Sequence, residues 1–123
     1  MAQSAGLHEP GDRLSPQTVD RHRALASIQE ELEAVDWYDQ RVNATGNAEL
    51  AAVLAHNRDE EKEHAAMTLE WLRRNDPVLD KHLRTYLFTS EPVTEVEHQA
   101  EEAGAPPAGD GTLGIGSLMG GTL

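Results

Sequence analysis

The chain has 123 residues, 22 acidic and 10 basic side chains, a formal net charge of −12 and no cysteine. Its length predicts a single domain, and its charge argues against nucleic-acid binding, because phosphate backbones are bound by clustered Lys and Arg. The missing cysteines exclude disulfides, thiolate zinc sites and cysteine nucleophiles. No apolar run is long enough to span a membrane, and residues 1 to 11 lack a secretory pattern. We therefore expect a cytoplasmic protein without membrane contact.

Two long helices and one short helix are predicted in an all-α chain. The first begins at the N-cap Ser15, with Pro16 at its first position, and runs to about residue 43. Gly46 suits the left-handed position that ends a helix. Asn47 then caps a second helix, which runs to residue 75. A short third helix follows from Asp76-Pro77 to about Phe88, and no strand pattern is found.

The two ends of the chain are predicted to be disordered. Residues 89–123 carry six acids and seven of the ten glycines, with no base and no aromatic side chain, so they bury too little apolar surface to offset their ordering entropy. Residues 1–14 are expected to be disordered as well. The remaining helical domain, 15–88, is small enough for its core to be marginal alone. A short turn makes its long helices an antiparallel hairpin, which we expect to pair with a second copy as a four-helix bundle.

Three polar residues fall on the apolar faces of the predicted hairpin. Glu31 lies within the apolar row of the first helix, and Glu61 and His64 lie in the middle of the second helix's row. A carboxylate facing a helix interface must be protonated, ion-paired or bound to metal. Carboxylate and imidazole ligands without thiolate suit iron, manganese or zinc. A ferritin-like di-iron bundle uses one Glu from each of two helices and Glu-x-x-His from the other two, so this chain holds half of that set.

Spacing leaves two alternatives open. Glu60 lies on an equally regular row, running from Val53 through His64 to Trp71, and could replace Glu61. The acids near residue 60 could also form an ordinary solvated surface with neighbouring bases.

On the first helix, Tyr38 follows Glu31 by two turns. Five acids between residues 30 and 39, with no base among them, could attract cations towards the inner site or form a solvated face.

Residues 30–41 (EELEAVDWYDQR) and 56–67 (HNRDEEKEHAAM) closely resemble the encapsulated ferritins, and the resemblance extends from about Val19 to Phe88. It implies a helical hairpin, a ferroxidase centre shared by two chains, and dimers that assemble into a ring-shaped decamer. The implied iron ligands are Glu31, Glu61 and His64, with Tyr38 beside the centre. Other divalent ions such as Zn, Mn or Ca are compatible with these ligands. The resemblance also implies an outer metal site on the iron's entry path at Glu30 and Glu33, near Trp37.

The end of the chain resembles the short peptides by which cargo proteins dock inside encapsulin shells. Its apolar residues can act as anchors while its glycines let an extended backbone lie close to a groove. Met119 stands where such peptides often carry a basic residue. We expect 89–110 to be a flexible acidic linker and 111–123 the targeting peptide, with docking through Leu113, Gly114, Ile115, Gly116, Ser117 and Leu118.

The expected function is a ferroxidase that oxidises Fe(II) with oxygen and delivers iron for storage inside an encapsulin nanocompartment in the bacterial cytoplasm. One alternative is a non-enzymatic, metal-binding helical adaptor recruited to the shell. Another is a peroxide-consuming enzyme of rubrerythrin type, which is disfavoured because the chain lacks the cysteines of an electron-relay site.

Overall fold

Helices make up most of the chain in the computed structural model, which describes residues 6–104. The elements in chain order are a 3-10 helix, Gly11–Arg13, and the α-helices α1 (Pro16–Ala44), α2 (Ala48–Arg74), α3 (Pro77–Tyr86) and α4 (Val93–Gly104). No strand occurs within residues 6–104. The all-helical prediction is therefore confirmed for this part of the chain. None of these four helices has the length and apolarity that a membrane crossing requires.

The starts of the first three α-helices are fixed by side-chain caps. The caps predicted at Ser15 and Asn47 are confirmed, and Asp76 caps α3 in the same way. In each case a side-chain oxygen accepts a hydrogen bond from the backbone N–H three residues later, at 2.9 to 3.1 Å. Because these N–H groups have no partner within their helix, the caps define where α1, α2 and α3 begin.

The turn between α1 and α2 differs from the prediction. Gly46 lies outside the left-handed region, and α1 instead ends at Thr45, whose backbone is extended and whose N–H donates to the Arg41 carbonyl at 3.1 Å. The Thr45 hydroxyl oxygen also accepts a hydrogen bond from the backbone N–H of Asn47 at 3.2 Å. An extended link of three residues therefore reverses the chain without a glycine in left-handed conformation.

The helices α1 and α2 form a compact unit that ends at Asn75. Contacts pair Glu31 with Thr68 and Asp39 with Arg58, so the two helices run antiparallel, as predicted. Only Ala65 and Leu72 are buried apolar residues in the described part of this unit. Several large apolar side chains of this unit are at least 40% exposed: Leu7, Leu25, Leu32, Trp37, Leu50, Val53, Met67 and Trp71. The hairpin therefore leaves many of its large apolar side chains exposed.

A second unit begins at Asp76 and contains α3 and α4. These helices pack together, and Val96 is buried. Residues 93–104 therefore differ from the predicted flexible acidic linker, because they are helical. The Pro92 carbonyl accepts hydrogen bonds from the backbone N–H groups of Glu95 and Val96 at 2.9 and 3.0 Å, which forms the first turn. The predicted docking peptide, 113–118, lies outside the described residues.

Phe88 lies in the connection between α3 and α4. Its φ of 64° is in the left-handed region, which is uncommon for a bulky residue, and its side chain is fully exposed. The aromatic ring therefore adds nothing to the core of this unit.

Part of the predicted disordered N-terminus is also ordered. The 3-10 helix at 11–13 is closed by two backbone hydrogen bonds, from Arg13 to Pro10 at 2.9 Å and from Leu14 to Gly11 at 3.2 Å. A pocket between residues 6–14 and α1 is lined by Leu7, Leu14 and Leu25, among others. The composition of this segment did not indicate the pocket that it forms with α1.

Candidate metal centre

Glu31 lies on α1, half-buried in the space between the two long helices. Its Oε1 atom is buried and has no hydrogen-bond partner among residues 6–104, whereas its Oε2 atom is 3.4 Å from the Thr68 hydroxyl oxygen. The carboxylate lines an open groove of about 420 Å³. The other residues that line the groove are Arg23, Ala24, Ser27, Met67, Thr68 and Trp71.

The partnerless oxygen of Glu31 fits a cation site. A buried carboxylate oxygen that lacks hydrogen bonds is costly, because it has lost water without gaining a replacement. A bound metal ion would supply the missing partner, and carboxylate oxygen is a ligand that iron and manganese accept. The surroundings of Glu31 therefore suit a metal ligand, and its role as one stays a prediction.

Glu61 and His64 lie side by side on α2. The distance between Glu61 Oε1 and His64 Nδ1 is 3.7 Å, and the side chains are 28% and 48% exposed. Residues three apart share one side of a helix, so the pair offers one oxygen donor and one nitrogen donor to a single ion. This is the local arrangement that the Glu-x-x-His spacing predicts.

Glu60 occupies a different position from Glu61. Its side chain is 48% exposed, and its two oxygens lie 3.9 Å from His56 Nε2 and 4.0 Å from His64 Nε2. His64 therefore has a carboxylate on each side, of which Glu61 is the more buried. The spacing left Glu60 and Glu61 as alternatives, and the lower exposure of Glu61 favours it as the residue between the helices.

The register of the hairpin separates Glu31 from Glu61 within one chain. Glu31 faces Thr68, which is seven residues from Glu61 on the same helix. Seven residues of helix span about 10 Å. In agreement, no group of three His, Asp or Glu side chains within residues 6–104 is placed to hold a metal ion. Within a single chain, the predicted ligands Glu31 and Glu61 are therefore too far apart along the helices to bind the same ion.

The register places Tyr38 closer to the level of Glu61. Asp39, its neighbour, binds Arg58 across the hairpin, so Glu61 lies opposite the stretch just before Asp39. Tyr38 is half-buried, and the Arg41 guanidinium lies 5.3 Å from the centre of its ring. Among the residues predicted for an outer site, Glu30 and Glu33 are exposed, and Trp37 is 50% exposed.

Arg58 joins two acids at the edge of the candidate site. It donates to Asp59 at 3.0 Å and to Asp39 at 2.9 Å. Hydrogen bonding to Asp59 and then to Asp39 raises the pKa of Arg58, while burial opposes the shift. Hydrogen bonding to Arg58 likewise lowers the pKa of Asp59. Sequence reasoning considered only pairing of Arg58 with acids on its own helix, and it missed the link to α1.

Thr68 is the other contact that sequence reasoning missed. Its position in the apolar row of the second helix, seven residues after Glu61, was visible in the sequence. The spacing within one helix does not reveal which residue of the other helix it faces. That information comes from the register, which brings its hydroxyl to Glu31.

The sequence matches a known family over most of the described residues. The family model described as EncFtn-like matches residues 6–90. The chain is 61% identical to the "Encapsulated ferritin-like protein" of Rhodospirillum rubrum, in an alignment that covers 98% of this chain and 93% of that protein. It is 34% identical to the "Encapsulin nanocompartment cargo protein EncC" of Myxococcus xanthus, over 96% of this chain and 98% of that protein.

The fold also matches a solved structure. The crystal structure of protein ne0167 from Nitrosomonas europaea superposes with a TM-score of 0.70 at 64% sequence identity. The match covers 72% of this chain and 97% of that one. At this identity, the similar fold and the similar sequence both indicate that the two proteins are related.

Proposed function

Since the chain belongs to the EncFtn-like family, we propose that it is a ferroxidase that oxidises Fe(II) to Fe(III) with oxygen at a di-iron centre formed between two subunits. One observation carries the proposal, namely the buried Oε1 of Glu31 that has no partner within the described chain. Glu61 and His64, which lie side by side on α2, offer further ligands about two turns and one turn from the level of Glu31.

A two-fold axis would bring the separated ligands together. Along the length of the hairpin, Glu31 lies opposite Thr68, seven residues after Glu61 on α2. The plane midway between Glu31 and Glu61 therefore crosses α2 near His64. A half-turn about an axis in that plane, perpendicular to the helices, exchanges the two levels. Glu31 of one chain then lies level with the partner's Glu61. A dimer of this kind assembles two copies of each ligand around its axis.

The exposed apolar side chains support pairing through this face. Met67 and Trp71 line the groove that contains Glu31, and they are 64% and 40% exposed. Burying such side chains contributes roughly 1.5 to 3 kcal/mol each when they are fully covered. A second hairpin would cover them and exclude water from the metal-binding carboxylates.

The residues supply binding and positioning, and iron is the substrate. Two carboxylates and one imidazole from each chain bind ferrous ions while leaving coordination positions open to oxygen. The negative charge of the carboxylates favours the ferric over the ferrous state. Each ferrous ion gives one electron to oxygen. Glu30 and Glu33, near Trp37, are proposed as an outer site on the path of the incoming iron, and Tyr38 as a residue beside the centre.

We further propose that the protein acts as cargo of an encapsulin shell and delivers iron for mineral storage there. The Myxococcus xanthus relative is named as an encapsulin cargo protein. In the present chain, residues 111–123 are proposed to dock to the shell, and the assembly is proposed to be a ring-shaped decamer. Because an open ring encloses no storage cavity, the shell would provide it.

The test is oxidation of ferrous iron in air by the full-length protein, followed by ferric absorbance. Glu61→Ala and His64→Ala should reduce oxidation to the rate without protein, because each removes a ligand. Glu63→Ala is the matched control, since Glu63 is exposed on the same helix. Wild-type rates in the Glu61 and His64 variants would contradict the proposed centre. If the wild-type protein gave only the background rate, a non-enzymatic, metal-binding adaptor would be the better description.

A further inference from the structure

We propose that Thr68 is a positioning residue, whose hydroxyl holds the Glu31 carboxylate with one oxygen free to bind metal. The inference rests on the proposed function, because it assumes that Glu31 is a ligand. It concerns a side chain that binds no metal itself but contacts two residues proposed to do so.

The Thr68 hydroxyl lies between Glu31 and His64. Its oxygen is 3.4 Å from Glu31 Oε2 and 3.0 Å from the backbone carbonyl oxygen of His64. A hydroxyl carries one proton, so it donates to one of these acceptors at a time. Bonding to the carbonyl four residues earlier is common for Thr in helices. The Glu31 carboxylate is the additional acceptor, and it comes from the other helix.

The two oxygens of Glu31 have different surroundings. Oε2 contacts Thr68, whereas Oε1 is buried and has no hydrogen-bond partner among the residues that the structure describes. The contact therefore turns one oxygen towards Thr68 and leaves the other available. Hydrogen bonds to ligating carboxylates orient them, and their loss typically weakens metal binding. The same contact also links α1 to α2 at the position of Glu31.

Ser27 provides a matched comparison. It lines the same groove, one helical turn before Glu31, and its hydroxyl donates to the Arg23 carbonyl at 2.8 Å. Both hydroxyls thus bond a carbonyl on their own helix and face the same groove. The contact with Glu31 distinguishes Thr68, so removing the Ser27 hydroxyl should not affect metal binding.

The experiment measures Co(II) binding to the full-length protein without oxygen, by calorimetry and by the Co(II) absorption bands. Thr68→Val keeps the side-chain shape but removes the hydroxyl, and it should weaken binding about tenfold or more and alter the bands. Thr68→Ser should restore affinity and bands close to wild type. Ser27→Ala should behave as wild type, and Glu31→Gln should remove the metal-binding carboxylate.

The outcomes separate this inference from the function on which it rests. Wild-type affinity and bands in Thr68→Val, with binding lost in Glu31→Gln, would overturn the role of Thr68 and leave the metal site intact. Undiminished binding in Glu31→Gln would overturn both. Helix content and oligomeric state are measured for each variant. If Thr68→Val loses helix content, Thr68→Ala is used in its place. Equal Co(II) affinity in Thr68→Ala and Thr68→Ser would then overturn the positioning role of the Thr68 hydroxyl.

Discussion

Asp39 on α1 and Arg58 on α2 form an ion pair with an N to O distance of 2.9 Å, which joins the two long helices across the hairpin. The Arg58 side chain is only 21% exposed, although Asp39 is 66% exposed. Arg58 also binds Asp59 at 3.0 Å. Its guanidinium is therefore fixed by one acid from each helix.

Replacing Arg58 with Met should lower the thermal unfolding midpoint, because it removes the ion pairs with Asp39 and Asp59. Lys62→Met is the control, since it removes one base from the same helix and one longer ion pair, 3.5 Å, with Asp59. We expect the larger decrease for Arg58→Met, and a smaller difference between the variants in 1 M salt, where charges are screened. Equal midpoints for the two variants would show that the cross-helix pair does not stabilise the hairpin.

Mixed dimers should test whether ligands come from two chains. Glu31→Ala and Glu61→Ala chains are co-expressed with different affinity tags, and dimers that contain both are purified. Neither variant alone should oxidise iron above background. A mixed dimer keeps one Glu31 level with one Glu61 across the axis, so it should regain measurable oxidation. The control is a doubly tagged Glu31→Ala dimer, which should stay inactive. Mixed dimers as inactive as this control would argue against pairing across the chains.

Glu70 should contribute a pH-dependent part of the stability of α2. Hydrogen bonds from Arg73 and Arg74 lower the pKa of Glu70 from 4.5 to about 2. A lowered folded-state pKa stabilises the fold above pH 4.5, and this contribution is lost as the pH falls from 4.5 to about 2. Thermal midpoints of wild type and Glu70→Gln should therefore differ at pH 7 and converge over that range. Glu63→Gln is the control, and a difference for Glu70→Gln that stays constant down to pH 2 would refute the linkage.

Deletion of residues 111–123 should separate catalysis from packaging. The truncated protein should oxidise ferrous iron at the wild-type rate and fail to co-purify with a co-expressed encapsulin shell. A full-length variant in which 111–123 is scrambled controls for tail length and composition, and it should also fail. Continued packaging of either variant would show that docking uses another part of the chain.

The helices that could be predicted are those with strong local signals. Ser15 and Asn47 mark helix starts by their capping chemistry, and Pro77 opens α3 where a missing N–H has no cost. In contrast, α4 was missed because the many acids between Glu91 and Glu102 dominate its composition. Its only buried apolar residue is Val96, and contacts with α3 are not visible in a local sequence pattern.

The residues of the candidate site could be predicted from the sequence, but their positions relative to one another could not. Periodicity placed Glu31 and Glu61 on apolar faces, since each follows the spacing of its own helix. The register between the helices depends on the turn and on contacts such as Glu31 with Thr68. For that reason the separation of Glu31 from Glu61 within one chain emerged only from the fold.

The helical state of α4 changes the reach of the segment between the hairpin and the proposed docking peptide. Its 12 residues span about 18 Å as a helix, against about 40 Å for an extended chain. The contour length before residue 113 is therefore shorter by about 20 Å. Under the proposed docking, a shorter connection would confine the proposed metal centre to a smaller volume beside the shell wall and raise its effective concentration there.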